Sequence, residues 1–493
     1  MMGRGSLSMV AFLALAGCGL KSSSAGGVGA GDPGGPASGG GGAAGTGGTS
    51  GAIGGTAGMA GLGGAGVVGG PWSKRFGSTG RDVGIDVAVD PAGNIVLTGY
   101  FTGTVDFGGG DLTGPGRSIF VAKFAPAGTH LWSKRFGGTG ETDYGGSVAT
   151  DAAGNVLVTG AFGTSVDFGG GRLTSAGDRD VFVAKFSPDG GHLWSKRFGS
   201  TLGDLGWGIA ADGAGNVIVS GYFTGTADFG GGNVTSAGGN DIFVAKFAPN
   251  GEHLWSRGFG SAAHDASWDV VADGAGNVVL TGDVAGMADF GGGVLTPAGK
   301  SDIFVAKFSP SGSYLWSKLF GGANFDFGWG LATDLGGSVV LTGAFSEAVD
   351  FGGGGLLSAG DRDTFVAKFA SDGSHLWSKP FGGVGPDRGN ALATDSAGSI
   401  LFTGYFSEAV DFGGGVLTSA GAEDLFVVRF AADGSHQWSA RIGGIGGDQG
   451  WSITADVAGS ALFTGHFSNA VDSGGGTLVS AGERDVFVAR TGP

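Results

Sequence analysis

The 493-residue chain contains one cysteine, Cys18, which excludes any internal disulfide. Positive charge is scarce, with 27 Lys and Arg against 43 Asp and Glu and a formal net charge of −16. That balance argues against nucleic acid or anionic lipid headgroups as the main partner. Long apolar runs are missing too. The stretch Leu7–Ala16 is too short to cross a bilayer as a helix. No segment shows a helical period, and glycine is too frequent for one. With no cysteine pair, Ser-His-Asp neighbourhood or nucleotide loop, an enzyme reading lacks residues to carry it. What is abundant is glycine (114), phenylalanine (36) and tryptophan (11). Glycine at that share without a period would mean disorder. Beside so many aromatics, it is expected in the turns of a β-rich repeat.

The repeat is marked by tryptophans at 72, 132, 194, 255, 316, 377 and 438, spaced 60 to 62 residues apart. Each period holds four strand candidates, such as 206–212, 215–223, 241–247 and 253–259. Tight Asp/Asn/Gly turns separate the first from the second and the third from the fourth. The inner motif recurs seven times, ending at Asp90, Asp151, Asp212, Asp273, Asp334, Asp395 and Asp456. The third-strand motif also recurs seven times, but the Trp strand follows it only six times and stands alone at Trp72. The expected fold is therefore all-β, a seven-bladed β-propeller with four antiparallel strands per blade. Strand 72–76 would close it by completing the last blade; an open solenoid is the alternative. Units such as DYGGSVATDAAGNVLVTGAF (143–162) and DLGWGIAADGAGNVIVSGYF (204–223) resemble those of bacterial seven-bladed β-propeller repeat proteins. The resemblance covers residues 72–490. It implies the architecture and a surface location, and little about activity.

The first residues carry Arg4, the apolar run and then Leu-Ala-Gly-Cys at 15–18. This resembles the lipobox of bacterial lipoproteins, which implies cleavage before Cys18, palmitate or a related acyl chain on it, and membrane attachment. Gly19 stands where an inner-membrane retention signal would resemble Asp, so the outer membrane or cell surface is the expected address. The expected domains are a signal peptide over 1–17, a lipidated, disordered Gly/Ala/Ser-rich tether over 18–70 and the propeller over 71–493. Such a coil separates its ends by about 40 Å.

Loops two-to-three and four-to-one share one face, and the former are long. Just before each inner strand stands an aspartate: Asp82, Asp143, Asp204, Asp265, Asp326, Asp387 and Asp448. A ring of carboxylates is a weak indication of Ca²⁺; strict repetition favours a structural role, accepting loop N–H groups. Isolated GGVGPD and GGIGGD segments (382–387, 443–448) lack the nine-residue period that a Ca²⁺ roll needs. Three residues on, regularity stops: Ile85, Gly146, Trp207, Trp268, Trp329, Asn390 and Trp451. An aromatic rim can stack on sugars or anchor a protein, so the four tryptophans and Asn390 are the candidate ligand site. His130, His192, His253, His375 and His436 sit on separate blades, too far apart to share a metal. No cofactor and no catalytic residues are expected. The functional expectation is a monomeric, lipid-anchored binding or scaffolding module for protein or glycan; the alternatives are a polysaccharide lyase or hydrolase, or a purely structural surface protein. Cys18→Ser is expected to abolish palmitate incorporation and to shift the chain out of the membrane fraction. Retention of both would refute the lipoprotein reading.

Overall fold

In every repeat the second and third strands are continuous apolar runs. Val217–Phe223 and Asp241–Phe247 are buried at every residue, as strands covered on both faces must be. The innermost strand, Leu205–Ala211, and the outermost, His253–Phe259, are only partly buried. One borders the central channel and the other the outside. The computed structural model describes residues 71–137, 142–473 and 476–492. The signal segment, Cys18 and the tether lie outside the described residues.

Seven four-stranded antiparallel sheets form the blades, and no helix occurs among the described residues. Their innermost strands are Val83–Val89, Tyr144–Thr150, Leu205–Ala211, Asp265–Ala272, Phe327–Thr333, Arg388–Thr394 and Gln449–Ala455, for blades 1 to 7. The first two strands of blade 3 begin at Leu205 and Val217, against expected starts of 206 and 215, and the other two match their expected bounds. Each two-to-three loop carries a short extra hairpin, as in Thr226–Asp228 with Asn233–Thr235.

The ring closes as expected. Trp72–Phe76 pairs antiparallel with Asp485–Arg490, Trp72 opposite Arg490 and Phe76 opposite Val486. That strand completes the four-stranded sheet of blade 7 and removes its exposed edge. Phe76, Leu462 and Val488 of blade 7 pack against Ile95, Phe120 and Phe124 of blade 1. A cluster of the same kind fills every other blade junction. An open solenoid is thereby excluded.

A buried ion pair recurs seven times on the tight-turn face. Lys246 Nζ lies 2.8 Å from Asp212 Oδ2, and Lys123, Lys185, Lys307 and Lys368 repeat the pair in four further blades. Arg429 and Arg490 supply it in blades 6 and 7. The same lysine also crosses to the next blade. Lys185 Nζ and Trp194 Nε1 both donate to the Pro249 carbonyl, at 3.3 and 3.0 Å. Trp72 makes the closing copy of this contact, donating to the Pro126 carbonyl of blade 1 at 3.3 Å. Blade 7 has no three-to-four turn, because its outer strand comes from residues 72–76. Arg429 instead reaches the Gly459 carbonyl of blade 7's inner hairpin at 2.6 Å, a distance that the longer guanidinium spans. Leaving one member of such a buried pair alone costs about 3–5 kcal/mol, so the lysine that also reaches the next blade is firmly held.

Deleting residues 72–76 exposes the edge of Asp485–Arg490 and uncovers Phe124. A clear fall in the thermal midpoint by circular dichroism is expected. An unchanged midpoint would mean that the ring does not depend on this strand.

Candidate functional site

The irregular ring of residues sits on a backbone irregularity. In each innermost strand the register shifts by one residue, between Gly84 and Asp86 in blade 1 and between Gly206 and Gly208 in blade 3. The other five blades shift at the same place. The extra residue is Ile85, Gly146, Trp207, Trp268, Trp329, Asn390 or Trp451. A bulge removes its extra residue from the in–out alternation and re-aims the side chain. Opposite the bulge the strands approach so closely that a Cβ on Gly99 would lie 2.0 Å from the Val83 carbonyl oxygen.

The four tryptophans are half-buried and touch across blade boundaries. Trp207 lies against Tyr144 and Trp268, with ring centroids 5.2 and 5.5 Å apart. Trp268 Nε1 donates to Asp283 at 2.6 Å. Trp329 stacks on Phe327 at 5.2 Å, and the guanidinium of Arg388 lies 3.5 Å above its ring. Arg388 also faces Trp451 at 5.6 Å, and Trp451 Nε1 donates to His466 Nδ1 at 2.9 Å. Across blades 1 and 2, Arg117 lies 3.5 Å from the Tyr100 ring and 5.7 Å from that of Tyr144. Two aromatic arcs thus line the channel mouth, each joined to a guanidinium by cation–π contact.

Not every residue of the irregular ring belongs to these arcs. Asn390 is buried, donating from Nδ2 to the Gly450 carbonyl at 2.7 Å, while its Oδ1 has no partner. Gly146 has no space for a side chain, since a Cβ would meet the Gly206 carbonyl at 2.6 Å. Deeper in the channel, Asp86 accepts hydrogen bonds from Ser147, Val148 and Ser452, linking three blades. Asp269 accepts from Leu331 N at 2.8 Å, and burial raises its pKa to about 7.

The seven-aspartate ring is buried away from the channel. Asp204 accepts from the backbone N–H of Ser200 at 2.5 Å and of Thr224 at 2.8 Å. Asp82, Asp326, Asp387 and Asp448 do the same with their counterparts, and Asp265 accepts from Ser261 and Ala285. Asp143 accepts from Gly163 N at 2.9 Å. In the six blades other than blade 2, the carboxylate ties the loop entering the blade to the end of that blade's second strand. No group of three or more metal-ligating side chains occurs among the described residues. The five repeat histidines lie 3.0–3.1 Å, through Nε2, from a serine three residues on. A shallow cleft of about 580 Å³ beside Trp316 lies on the opposite, tight-turn face, where Asp273 and Lys307 already pair.

Tyr100, Tyr144, Arg117, Arg388 and His466 had not been singled out in the sequence. Tyr144 and Arg388 stand two residues before the irregular position, which offered one signal. The others come from second strands or long loops that only the folded blade brings to the mouth.

Residues 131–161 match the family model described as a beta-propeller repeat. That segment runs from the outer strand of blade 1 through the second strand of blade 2. The chain is 23% identical over 501 residues to the uncharacterized WD repeat-containing protein L264 of Acanthamoeba polyphaga mimivirus, covering 81% of this chain and 36% of that protein. It is 29% identical over 171 residues to the regulatory protein FlaEY of Caulobacter vibrioides, covering 33% of this chain and 18% of that protein. The chain thus spans well under half the length of either relative. Among solved structures, the Neurospora crassa Pan2 WD40 domain aligns with TM-score 0.43 and 12% identity over 84% of this chain and 90% of that one. A protein of unknown function from Bacteroides caccae aligns with TM-score 0.36 and 12% identity over 65% and 89%.

Burial raises the pKa of Asp82, Asp204, Asp326 and Asp448 to about 6 and that of Asp387 to about 7. Each binds its proton more tightly folded than unfolded, so its stabilising contribution is complete below about pH 4 and is lost as pH rises through 6 to 7. Asp90, Asp151, Asp212 and Asp273 are also opposed by burial, but the lysine and asparagine hydrogen bonds hold their pKa values below the usual range. They lose their contribution only in stronger acid. The unfolding midpoint is expected to be higher at pH 5 than at pH 8, and Asp387→Asn is expected to narrow the difference. A midpoint that rises from pH 5 to 8 would refute this account.

Proposed function

We propose that this protein is a non-catalytic binding module whose ligand docks at the channel mouth, on the face of the long loops. The observation that carries the reading is a set of buried polar atoms without partners, including Trp207 Nε1 and Arg388 Nε, on side chains that are themselves half-buried at the mouth. Polar groups removed from water without a partner cost free energy, and a ligand that pairs them recovers it. The fold supports the same reading, because a closed propeller concentrates its irregular side chains at one end of the channel. The similarity to a WD repeat-containing protein is compatible with a partner-binding role. We further propose that a lipid on Cys18 attaches the module to a membrane outside the cytoplasm; the lipobox-like sequence supports this.

The test is a glycan array and a pull-down with the full chain, compared with a variant carrying Trp207, Trp268, Trp329 and Trp451 as Ala. Loss of the detected interactions at a retained fold is expected. Lowered stability with every interaction intact would assign the tryptophans to packing.

A further inference from the structure

Two groups of arginines stand out in this acidic chain. Arg75, Arg197, Arg429, Arg441 and Arg490 each pair with an aspartate. By contrast Arg81, Arg117, Arg179, Arg362, Arg388 and Arg484 cluster at the inner ends of the mouth-face loops. None of these six has a carboxylate within 4.0 Å among the described residues, and all but Arg81 are half-buried. The fold itself crowds them. Arg81 and Arg484 bridge directly, and Arg179 and Arg362 occupy the equivalent bridges at Gly203 and Pro386. Burial lowers the pKa of Arg117, Arg388 and Arg484, although a guanidinium remains charged at neutral pH. The acids facing this group are Glu423, which accepts from Gln449 at 2.5 Å, Glu483 near Arg484 and Asp326 near Arg362.

The unpartnered atoms at the mouth are mostly donors. Arg117 Nε and Nη2, Arg362 Nε, Arg388 Nε and Trp207 Nε1 have no acceptor. His466 joins them: its Nδ1 accepts from Trp451, so the neutral ring carries its proton on Nε2, which also lacks a partner. The complementary ligand is rich in acceptors and negatively charged. Its shape follows from the flanking rings. Arg388 is set between Trp329 and Trp451, and Arg117 between Tyr100 and Tyr144. A carboxylate held there belongs to a group with a flat, C–H-bearing face about one ring wide. A pyranose bearing its own carboxylate meets all three conditions.

We infer that the mouth recognises an acidic oligosaccharide, with uronate carboxylates on the guanidinium groups that lack a carboxylate partner and sugar faces on the adjoining indoles. This rests on the binding-module reading and names its ligand class. Planar guanidinium and carboxylate match through two parallel hydrogen bonds, and the C–H faces of the sugar cover the half-exposed indole rings.

Titration calorimetry with the full chain would compare galacturonate hexamer, a neutral galactose hexamer and polyglutamate, with the thermal midpoint recorded for every variant. Expected are binding of the uronate, at least about tenfold weaker binding of the neutral sugar, and weakening by salt. Arg388→Gln and Arg117→Gln are each expected to lose about tenfold or more for the uronate. Should either unfold, Arg362→Gln offers the same readout from a less enclosed position. Equal binding of the neutral hexamer would overturn the acidic-ligand inference and leave the binding module standing. Binding of polyglutamate without the uronate would overturn the sugar class. Uronate binding indifferent to all three arginines would overturn the site.

Discussion

At five of the seven blade junctions a single carbonyl oxygen holds neighbouring blades in place. The indole of one blade and the ammonium of its third strand converge on a carbonyl in the next blade's outer turn, as Trp194 and Lys185 do at Pro249. That ammonium is simultaneously the partner of a buried aspartate at the end of its own innermost strand. The inner and outer edges of a blade, and the blade beside it, are thus tied by one positive charge. An apolar cluster alone would let neighbouring blades slide, because burial is non-directional. The charge and the indole N–H are directional, and they set the angular position. Arg429 shows the constraint by its exception, substituting a longer side chain where the next blade offers no outer turn.

With that face fixed by identical chemistry in blade after blade, the opposite face is free to vary. The buried aspartates Asp82, Asp204 and their counterparts hold the loops, so the residues between them need not. The bulge in each innermost strand then provides one position per blade whose side chain is not required by the alternation of the strand. Blades 3, 4, 5 and 7 place tryptophan there, and the surrounding loops add arginine. A ring that was wholly regular would have no reason to leave guanidinium groups unpaired inside it.

Much of the fold was legible because each determinant is local. The FVAKF and GNVIVSGYF types of segment state their own burial, the Asp-Gly turns state the hairpins, and the isolated Trp72 strand states the closure. Strand starts drifted by one or two residues in blade 3, where small residues weaken the pattern. The candidate site was legible only in part. The tryptophans stood out because a large side chain is unusual in a strand of small ones. Tyr100, Arg117 and His466 lie on different elements, and nothing in their spacing announces that they meet.

By itself, then, the sequence determined the repeat, the number of blades and the route of closure, because periodicity and complementary strand types survive without any knowledge of contacts. Tertiary structure decided what the irregular positions do. A one-residue bulge is set by how two backbones approach, through Gly99 against Val83 and its six equivalents, and it turns a ring of dissimilar residues toward the channel mouth. Whether an arginine has a counterion is likewise a matter of distance across blades: Arg441 meets Asp424, whereas Arg388 lies between the faces of two indoles and bonds to Tyr405.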